Sequence, residues 1–186
     1  MGFLRGRKRR RRGPWLLVAI TLLALEAWPQ PTEYQLKAVF LFNFSQFVDW
    51  PPEAFADERA PLVIGVLGED PFGAELDAAV LGETVNGRPL AVRRYRRVEE
   101  IEQCHILFIA RSQRDRLDQI LRWIDGRSTL TVGDFEGFAR SGGMIRFVPA
   151  GTRIRLHINL EAAQAADLAI SSKLLRPAQI VGKGED

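Results

Sequence analysis

The sequence predicts an α/β protein: a single-domain sandwich in which a mixed β-sheet is flanked by helices. Short apolar runs typical of buried strands alternate with stretches that have the periodicity of helices. The pair Asn86-Gly87 marks one hairpin, and two strand-like runs around residues 149–152 mark a second one, which a C-terminal helix follows. Hairpins together with helix–strand alternation indicate a sheet with both parallel and antiparallel pairs.

The N-terminal segment has the composition of a secretory signal peptide. Seven Arg and Lys residues lie within residues 5–12, and an apolar run of eleven residues, WLLVAITLLAL, follows at 15–25. A membrane-spanning helix needs about 20 apolar residues, so this run is too short to cross a bilayer. We predict a signal peptide over residues 1–27 and one domain over residues 28–186, with no stable membrane insertion after cleavage. An uncleaved anchor stays open, because Leu25 would occupy the −3 position, where Ala is commoner.

The predicted leader also dominates the net charge. The whole chain has 26 Lys and Arg against 23 Asp and Glu, and residues 1–30 hold seven of the basic residues and one acid. The remaining chain therefore carries 19 basic against 22 acidic side chains, a net charge of about −3. Because such a domain has no general attraction for DNA or RNA, we expect no nucleic-acid partner.

The first predicted helix begins with a capping box at Thr32 and Gln35 and ends before two prolines at 51 and 52. Apolar residues at 36, 39, 40, 44 and 47 have the spacing of a core-facing stripe. Other apolar side chains flank this stripe, so the helix keeps a second apolar surface, either a dimer seam or a docking site. The aromatic residues expected to pack on the sheet are Phe40, Phe44 and Phe47. The second surface is predicted to consist of Leu41, Phe42 and Trp50.

The middle of the chain predicts buried strands separated by helices. Asp70 followed by Pro71 has the pattern of a helix N-terminus, and Gly82 suits the end of that helix. Ser112 is the expected N-cap of a third helix, which ends at Gly126. The strand-like runs cover residues 61–68, 105–110 and 128–132.

The C-terminal third predicts a hairpin followed by a helix. Strands at 144–148 and 153–159 flank a tight turn, and apolar residues alternate with basic ones in the second strand. One face of the hairpin is therefore buried. The other face carries a basic strip, which is either only solvated or receives an anionic ligand or acidic partner. Asn159 is the expected N-cap of a final helix over residues 160–175. The basic strip consists of Arg146, Arg153, Arg155 and His157.

The sequence has no pattern typical of a catalytic or metal site. Cys104 is the single cysteine and precedes His105, but neighbours in a strand point to opposite faces, so they do not form a nucleophile–base pair. Motifs for phosphate loops, dinucleotide folds, serine hydrolases and zinc sites are absent from the sequence. We expect a binding protein without cofactor or metal, not an enzyme. A hydrolase that uses His105 or His157 remains an open alternative.

Four segments together carry a resemblance to a known family. They are EYQLKAVFLFNFSQFVDWP (33–51), VLGEDPFG (66–73) with VNGRPLAVRR (85–94), CHILFIARS (104–112), and GGMIRFVPAGTRIRLHINLEAAQAADLAISSKLLRPAQIV (142–181). They cover nearly all of the predicted domain in the same order. In these segments the chain resembles the YfiR family, the domain of unknown function DUF4154.

The resemblance implies a small periplasmic α/β protein without enzymatic activity. Members of this kind bind the periplasmic domain of an inner-membrane diguanylate cyclase of the YfiN type and repress it, which lowers cyclic di-GMP and biofilm formation. A homodimer is also implied. The partner-binding surface lies toward the C-terminal helix, and the matching motif positions in this chain are Glu161, Ile170 and Lys173.

One departure from the resemblance concerns cysteines. The family type is described with stabilising disulfides, whereas Gly65 stands where a cysteine is expected in the first buried strand. Cys104 therefore has no partner within the chain, and redox control by an intrachain disulfide is not expected. We interpret Cys104 as a small core residue.

A second function remains open beside the repressor. The chain could be a periplasmic sensor or binding module for a small ligand, with a pocket formed by the loop at 134–143 and the basic strip of the hairpin. The two functions are compatible, because a ligand can release a repressor from its partner.

Overall fold

The computed structural model describes residue 2, residues 31–182 and residue 184. Apart from residue 2, the signal peptide predicted over residues 1–27 lies outside these described residues. Among the described residues, no helix combines the length and the apolar character needed to cross a membrane.

A mixed sheet forms the centre of the domain, as the sequence predicts. In the described residues, the strands are β1 (Val48–Asp49), β2 (Leu62–Leu67), β3 (Thr84–Val85), β4 (Arg88–Tyr95), β5 (Ile106–Ile109), β6 (Leu130–Gly133), β7 (Ile145–Ala150), β8 (Arg153–Ile158), β9 (Ala169–Ile170) and β10 (Gln179–Ile180). The order across the main sheet is β10-β8-β7-β6-β5-β2-β4-β3. Strands β4, β2, β5, β6 and β7 run parallel, whereas β3–β4 and β7–β8 are antiparallel hairpins.

Helices cover both faces of this sheet. They are α1 (Glu33–Phe47), α2 (Ala74–Val80), α3 (Leu117–Ile124), α4 (Leu160–Ala165) and α5 (Ser172–Leu175). Helices α1, α2 and α4 contribute to a core on one face, and α3 contributes to a second core on the other. Because successive strand residues point to opposite faces, Ile106 and Phe108 enter the first core while Leu107 and Ile109 enter the second.

Helix α1 begins at the predicted capping box, with Thr32 accepting a hydrogen bond from the backbone N–H of Gln35. Its buried face differs from the predicted one. Leu41 is fully buried, so its assignment to a second surface is wrong, and Val39, expected in the core, is 51% exposed. Apolar residues surround most of this helix, so their spacing does not identify the side that packs on the sheet. The buried residues of α1 are Lys37, Ala38, Leu41, Phe44 and Ser45.

Two predicted helix starts are displaced. Helix α2 begins at Ala74, because Asp70 accepts a hydrogen bond from the N–H of Phe72 and thereby closes a turn instead of capping the helix. The third helix is preceded by a 3₁₀ segment over Arg111–Arg116, and the hydroxyl of Ser112 accepts from the N–H of Glu69. Both polar residues join neighbouring loops. In contrast, the Asn86-Gly87 turn between β3 and β4 is confirmed, with positive φ at both residues.

The predicted C-terminal helix over residues 160–175 is wrong as a continuous element. Asn159 caps α4 as expected, but the helix ends at Ala165 and Asp167 adopts a φ of 57°. The chain then extends into β9 and turns into α5, with the hydroxyl of Ser171 accepting from the N–H of Lys173. The break allows the extended segment to pair with β1. Tertiary pairing therefore overrides the helical spacing of this sequence.

Candidate partner-binding surface

A two-stranded ribbon joins the end of α1 to the C-terminal segment. Strands β1 and β9 are antiparallel, with Val48 opposite Ile170 and Asp49 opposite Ala169. The ribbon is extended by a hydrogen bond of 2.8 Å from the N–H of Ser171 to the carbonyl of Phe47. Two regions that the sequence suggested as separate interaction surfaces are therefore one continuous structure.

The side chains beside this ribbon combine apolar and cationic groups. The Lys173 ammonium lies 5.5 Å from the centroid of the Phe47 ring, a distance at which a cation–π attraction operates. Lys173 is exposed, while Phe47 and Ile170 are half-buried and pack against the first core. We call Phe47, Ile170 and Lys173 the ribbon surface.

Glu161 is separated from the ribbon surface by the break in the helix. It is exposed in the first turn of α4, where a carboxylate interacts favourably with the helix dipole. Glu161 and Ile170 do not lie on one continuous helix, because the backbone turns at Asp167 and Ile170 belongs to β9. The structure thus brings Ile170 and Lys173 together with Phe47, which the sequence did not select as a surface residue.

Phe42 and Trp50, the other predicted surface residues, are both half-buried. The indole N–H of Trp50 donates a hydrogen bond of 3.2 Å to the carbonyl of His105, and its ring meets the His105 ring edge-on. Phe42 packs against the first core. Each residue therefore has a structural contact, and a partner-binding role for either one stays a prediction.

The basic strip of the C-terminal hairpin lies on one face. Arg146 is opposite His157 in the register, and Arg155 and Arg153 follow on β8 opposite Val148 and Ala150. Opposed and alternate residues of an antiparallel pair share a face, so the four basic side chains are neighbours, as the alternation predicted. Arg153 and Arg155 are exposed, whereas Arg146 and His157 are half-buried.

The adjacent residues Cys104 and His105 are both integrated into the core. Nδ1 of His105 accepts from the N–H of Val63, so Nε2 carries the proton and donates to the carbonyl of Ala54. Burial lowers the pKa of His105 to about 4. The charge of Arg88 adds to this shift, and the hydrogen bond to Ala54 opposes it. Burial raises the pKa of Cys104 to about 12. The burial and the shifted pKa values of both groups suit a structural role and do not suit proton transfer or nucleophilic attack.

Gly65 on β2 lies close to Cys104, which is in the segment that leads into β5. A Cβ atom at Gly65 would lie 2.7 Å from the sulfur of Cys104 and 2.7 Å from Cε2 of Tyr95. The position where the resemblance suggested a second cysteine therefore faces Cys104 directly. In this chain that space is filled by the Cys104 and Tyr95 side chains, and Cys104 is a free thiol.

A buried charge network lies near the start of α1 and was not predicted from the sequence. The Lys37 ammonium is fully buried and contacts Asp134 and Glu33 at 2.5 Å each, and Arg111 contacts the other oxygen of Asp134 at 3.2 Å. Burial alone would raise the pKa of Asp134, but the hydrogen bond and charge of Lys37, with that of Arg111, hold it below its ordinary value. The only sequence signal was a lysine between Leu36 and Ala38 in an otherwise apolar stripe.

Comparison with known families gives one match. The model of the YfiR/HmsC-like family, DUF4154, matches residues 34–179. This range includes the ribbon surface, all of α1 but its first residue and all of the main sheet but the last residue of β10. No curated protein matches the chain significantly.

Proposed function

The chain belongs to the YfiR/HmsC-like family, and we propose that it represses an inner-membrane diguanylate cyclase by binding the periplasmic domain of that enzyme. The family is one of periplasmic regulators of diguanylate cyclase signalling and not of catalysts. Repression would lower cyclic di-GMP and with it biofilm formation. The protein would act in the periplasm, after export through the predicted signal peptide.

The ribbon surface is the observation that carries this proposal. It combines the half-buried apolar side chain of Ile170 with the contact between the Phe47 ring and the exposed ammonium of Lys173, on a segment held by backbone hydrogen bonds. A backbone-anchored patch with an apolar centre and a charged edge suits specific protein binding, because little conformational entropy is lost when it docks. An acidic group on the cyclase domain would complement Lys173.

A homodimer is part of the proposal. Val39 on α1 is 51% exposed, and Phe42 on the same helix is only half-buried. A second copy of the chain that packs on this side of α1 would cover both side chains and would leave the ribbon surface for the cyclase. The two interfaces would then be separable by mutation.

The decisive experiment is capture of the periplasmic domains of the host's membrane-bound diguanylate cyclases by residues 28–186. Wild type should capture one of them specifically, and Lys173→Glu should lose this capture. Arg114→Glu is the matched control, because Arg114 is also exposed and the charge change is the same. If both variants retained capture, the interface would have to lie outside the ribbon surface.

A deletion strain tests the direction of the effect. Loss of the gene should raise cyclic di-GMP when the cyclase is intact and should have no effect when the periplasmic domain of the cyclase is removed. An unchanged cyclic di-GMP level in a deletion strain that expresses the intact cyclase would contradict repression. Capture without any change of cyclic di-GMP would leave a binding protein but not a repressor.

A further inference from the structure

A cavity of about 310 Å³ lies between the C-terminal half of α3 and helix α4. Ser141 and Gly142 from the loop before β7 line one side, so part of the loop expected to form a pocket does so. The basic strip of the hairpin does not line it. A volume of this size falls at the lower end of the range of small-molecule sites, about 300–1,000 Å³.

The walls of the cavity are apolar and leave room because one of them is built from alanine. Ala162, Ala165 and Ala166 lie at helical spacings of three and four, so they share one face of α4 and its C-cap. Leu121 and Met144 contribute larger apolar side chains to the lining. Such walls suit a compact apolar body, and the Met144 thioether favours an aromatic one.

Two buried hydroxyl groups add a polar part to this lining. The Thr129 hydroxyl donates to the carbonyl of Cys104 at 2.8 Å, so its oxygen lone pairs remain to accept a hydrogen bond. The Thr131 hydroxyl oxygen accepts from the N–H of Met144 at 3.0 Å, so its hydrogen remains to be donated. Thr129 and Thr131 are 4% and 1% exposed, so both hydroxyl groups are buried.

Charged side chains at the exposed part of the lining favour a negative ligand. Arg122 and Arg127 are both exposed and line the cavity, against one carboxylate, Asp125. One guanidinium nitrogen of Arg127 donates to the carbonyl of Ile101 at 2.9 Å, which restrains the group while its other N–H donors remain. Glu102 and Asp167 do not line this cavity but a neighbouring polar depression, to which Arg127 and Thr129 also contribute.

We infer that this cavity binds a small organic monoanion with a compact apolar body. The apolar body packs against the alanines of α4, Leu121 and Met144. One polar atom of the ligand pairs with the Thr129 and Thr131 hydroxyls, and the anionic group meets the arginines. This site is distinct from the ribbon surface, and its existence does not depend on the cyclase.

Calorimetric titration of residues 28–186 with 1-naphthaleneacetate tests the site, and 1-naphthaleneacetamide is the matched neutral probe. Wild type should bind the acetate, and the amide should bind about ten-fold more weakly because it lacks the charge that the arginines meet. Ala165→Leu should abolish binding of the acetate by filling the cavity. Ala78→Leu is the matched control, because Ala78 is also an exposed helical alanine but lies on α2.

Three results would overturn the inference. They are absence of acetate binding to wild type, unchanged binding to Ala165→Leu, and equal binding of the two probes, which would remove the anionic specificity. Thermal melting of both leucine variants separates a blocked cavity from an unfolded protein. Arg127→Gln provides a second variant that keeps the cavity open. It should weaken binding of the acetate and leave binding of the amide unchanged.

Discussion

The ammonium group of Lys173 lies over the ring of Phe47, 5.5 Å from its centroid. The two residues are far apart in the sequence, and the pairing of Val48 with Ile170 brings them together. Neither residue alone defines a binding site. Together with Ile170 they form the ribbon surface, and its stability depends on how well the C-terminal segment is held.

The first prediction concerns Ile170→Asp. Ile170 is half-buried and packs on the first core, so a carboxylate there should lower the free energy of unfolding by about 2 kcal/mol. Urea denaturation measures this loss. Ile180→Asp, at a side chain that is 50% exposed, is the control and should cost less than about 0.5 kcal/mol. Equal costs at the two positions would contradict the packing of Ile170 on the core.

The second prediction concerns the buried Lys37–Asp134 pair. Asp134→Ala removes the buried carboxylate that balances a fully buried ammonium, and the more exposed carboxylate of Glu33 and the Tyr34 ring remain beside Lys37. We expect a loss of about 3 kcal/mol in the free energy of unfolding. Adding Lys37→Met should recover at least half of this loss, because the uncompensated charge is then gone. The control is Asp77→Ala, which breaks an exposed pair with Arg94 and should cost less than about 1 kcal/mol.

The third prediction is a pH dependence caused by His105. Its pKa is lowered from 6.5 to about 4 in the folded protein, so the unfolded chain takes up a proton first as the pH falls. Stability is therefore fully present above pH 6.5 and falls toward pH 4, by up to about 1.4 kcal/mol per pH unit. The physical reason is burial, which disfavours the charged imidazolium. A protonated Nδ1 also no longer accepts a hydrogen bond from the N–H of Val63.

Urea denaturation between pH 7 and pH 4 tests this dependence. His105→Gln should flatten the stability profile in this window, although it lowers stability at pH 7. His157→Gln, at the other histidine of the chain, is the control for the loss of an imidazole. A wild-type slope in His105→Gln would assign the pH dependence to other groups.

The fourth prediction concerns the contact between Gly65 and Cys104. Gly65→Ala introduces a Cβ atom 2.7 Å from both the Cys104 sulfur and the Tyr95 ring, so strands β2, β4 and β5 have to separate locally. We expect a loss of about 1–3 kcal/mol in the free energy of unfolding. Cys104→Ala in the same chain should restore part of the loss by removing one of the two clashes. No loss in Gly65→Ala alone would contradict this packing.

Sequence patterns that involve only neighbouring residues predicted the caps and turns of the structure most reliably. Local chemistry located the capping box at Thr32, the Asn86-Gly87 turn and the N-cap at Asn159, because each is decided by groups only a few residues apart. The alternation in β8 correctly identified the basic strip for the same reason. Asp70 and Ser112 were misjudged as helix caps because their oxygens accept from the backbone of a turn and of a neighbouring loop.

The α/β fold class, the buried strands and both hairpins could be predicted before folding is considered, since periodicity and turn chemistry are local properties. The resemblance to a regulatory family could likewise be recognised from the residues alone. Packing against the sheet decided which side of α1 is buried, because an apolar surface on most sides of a helix favours no single face. The tertiary structure also decided that residues 160–175 break at Asp167 and that Lys37 meets Asp134. These features depend on pairing between distant parts of the chain, where a strand partner or an opposite charge outweighs local preference.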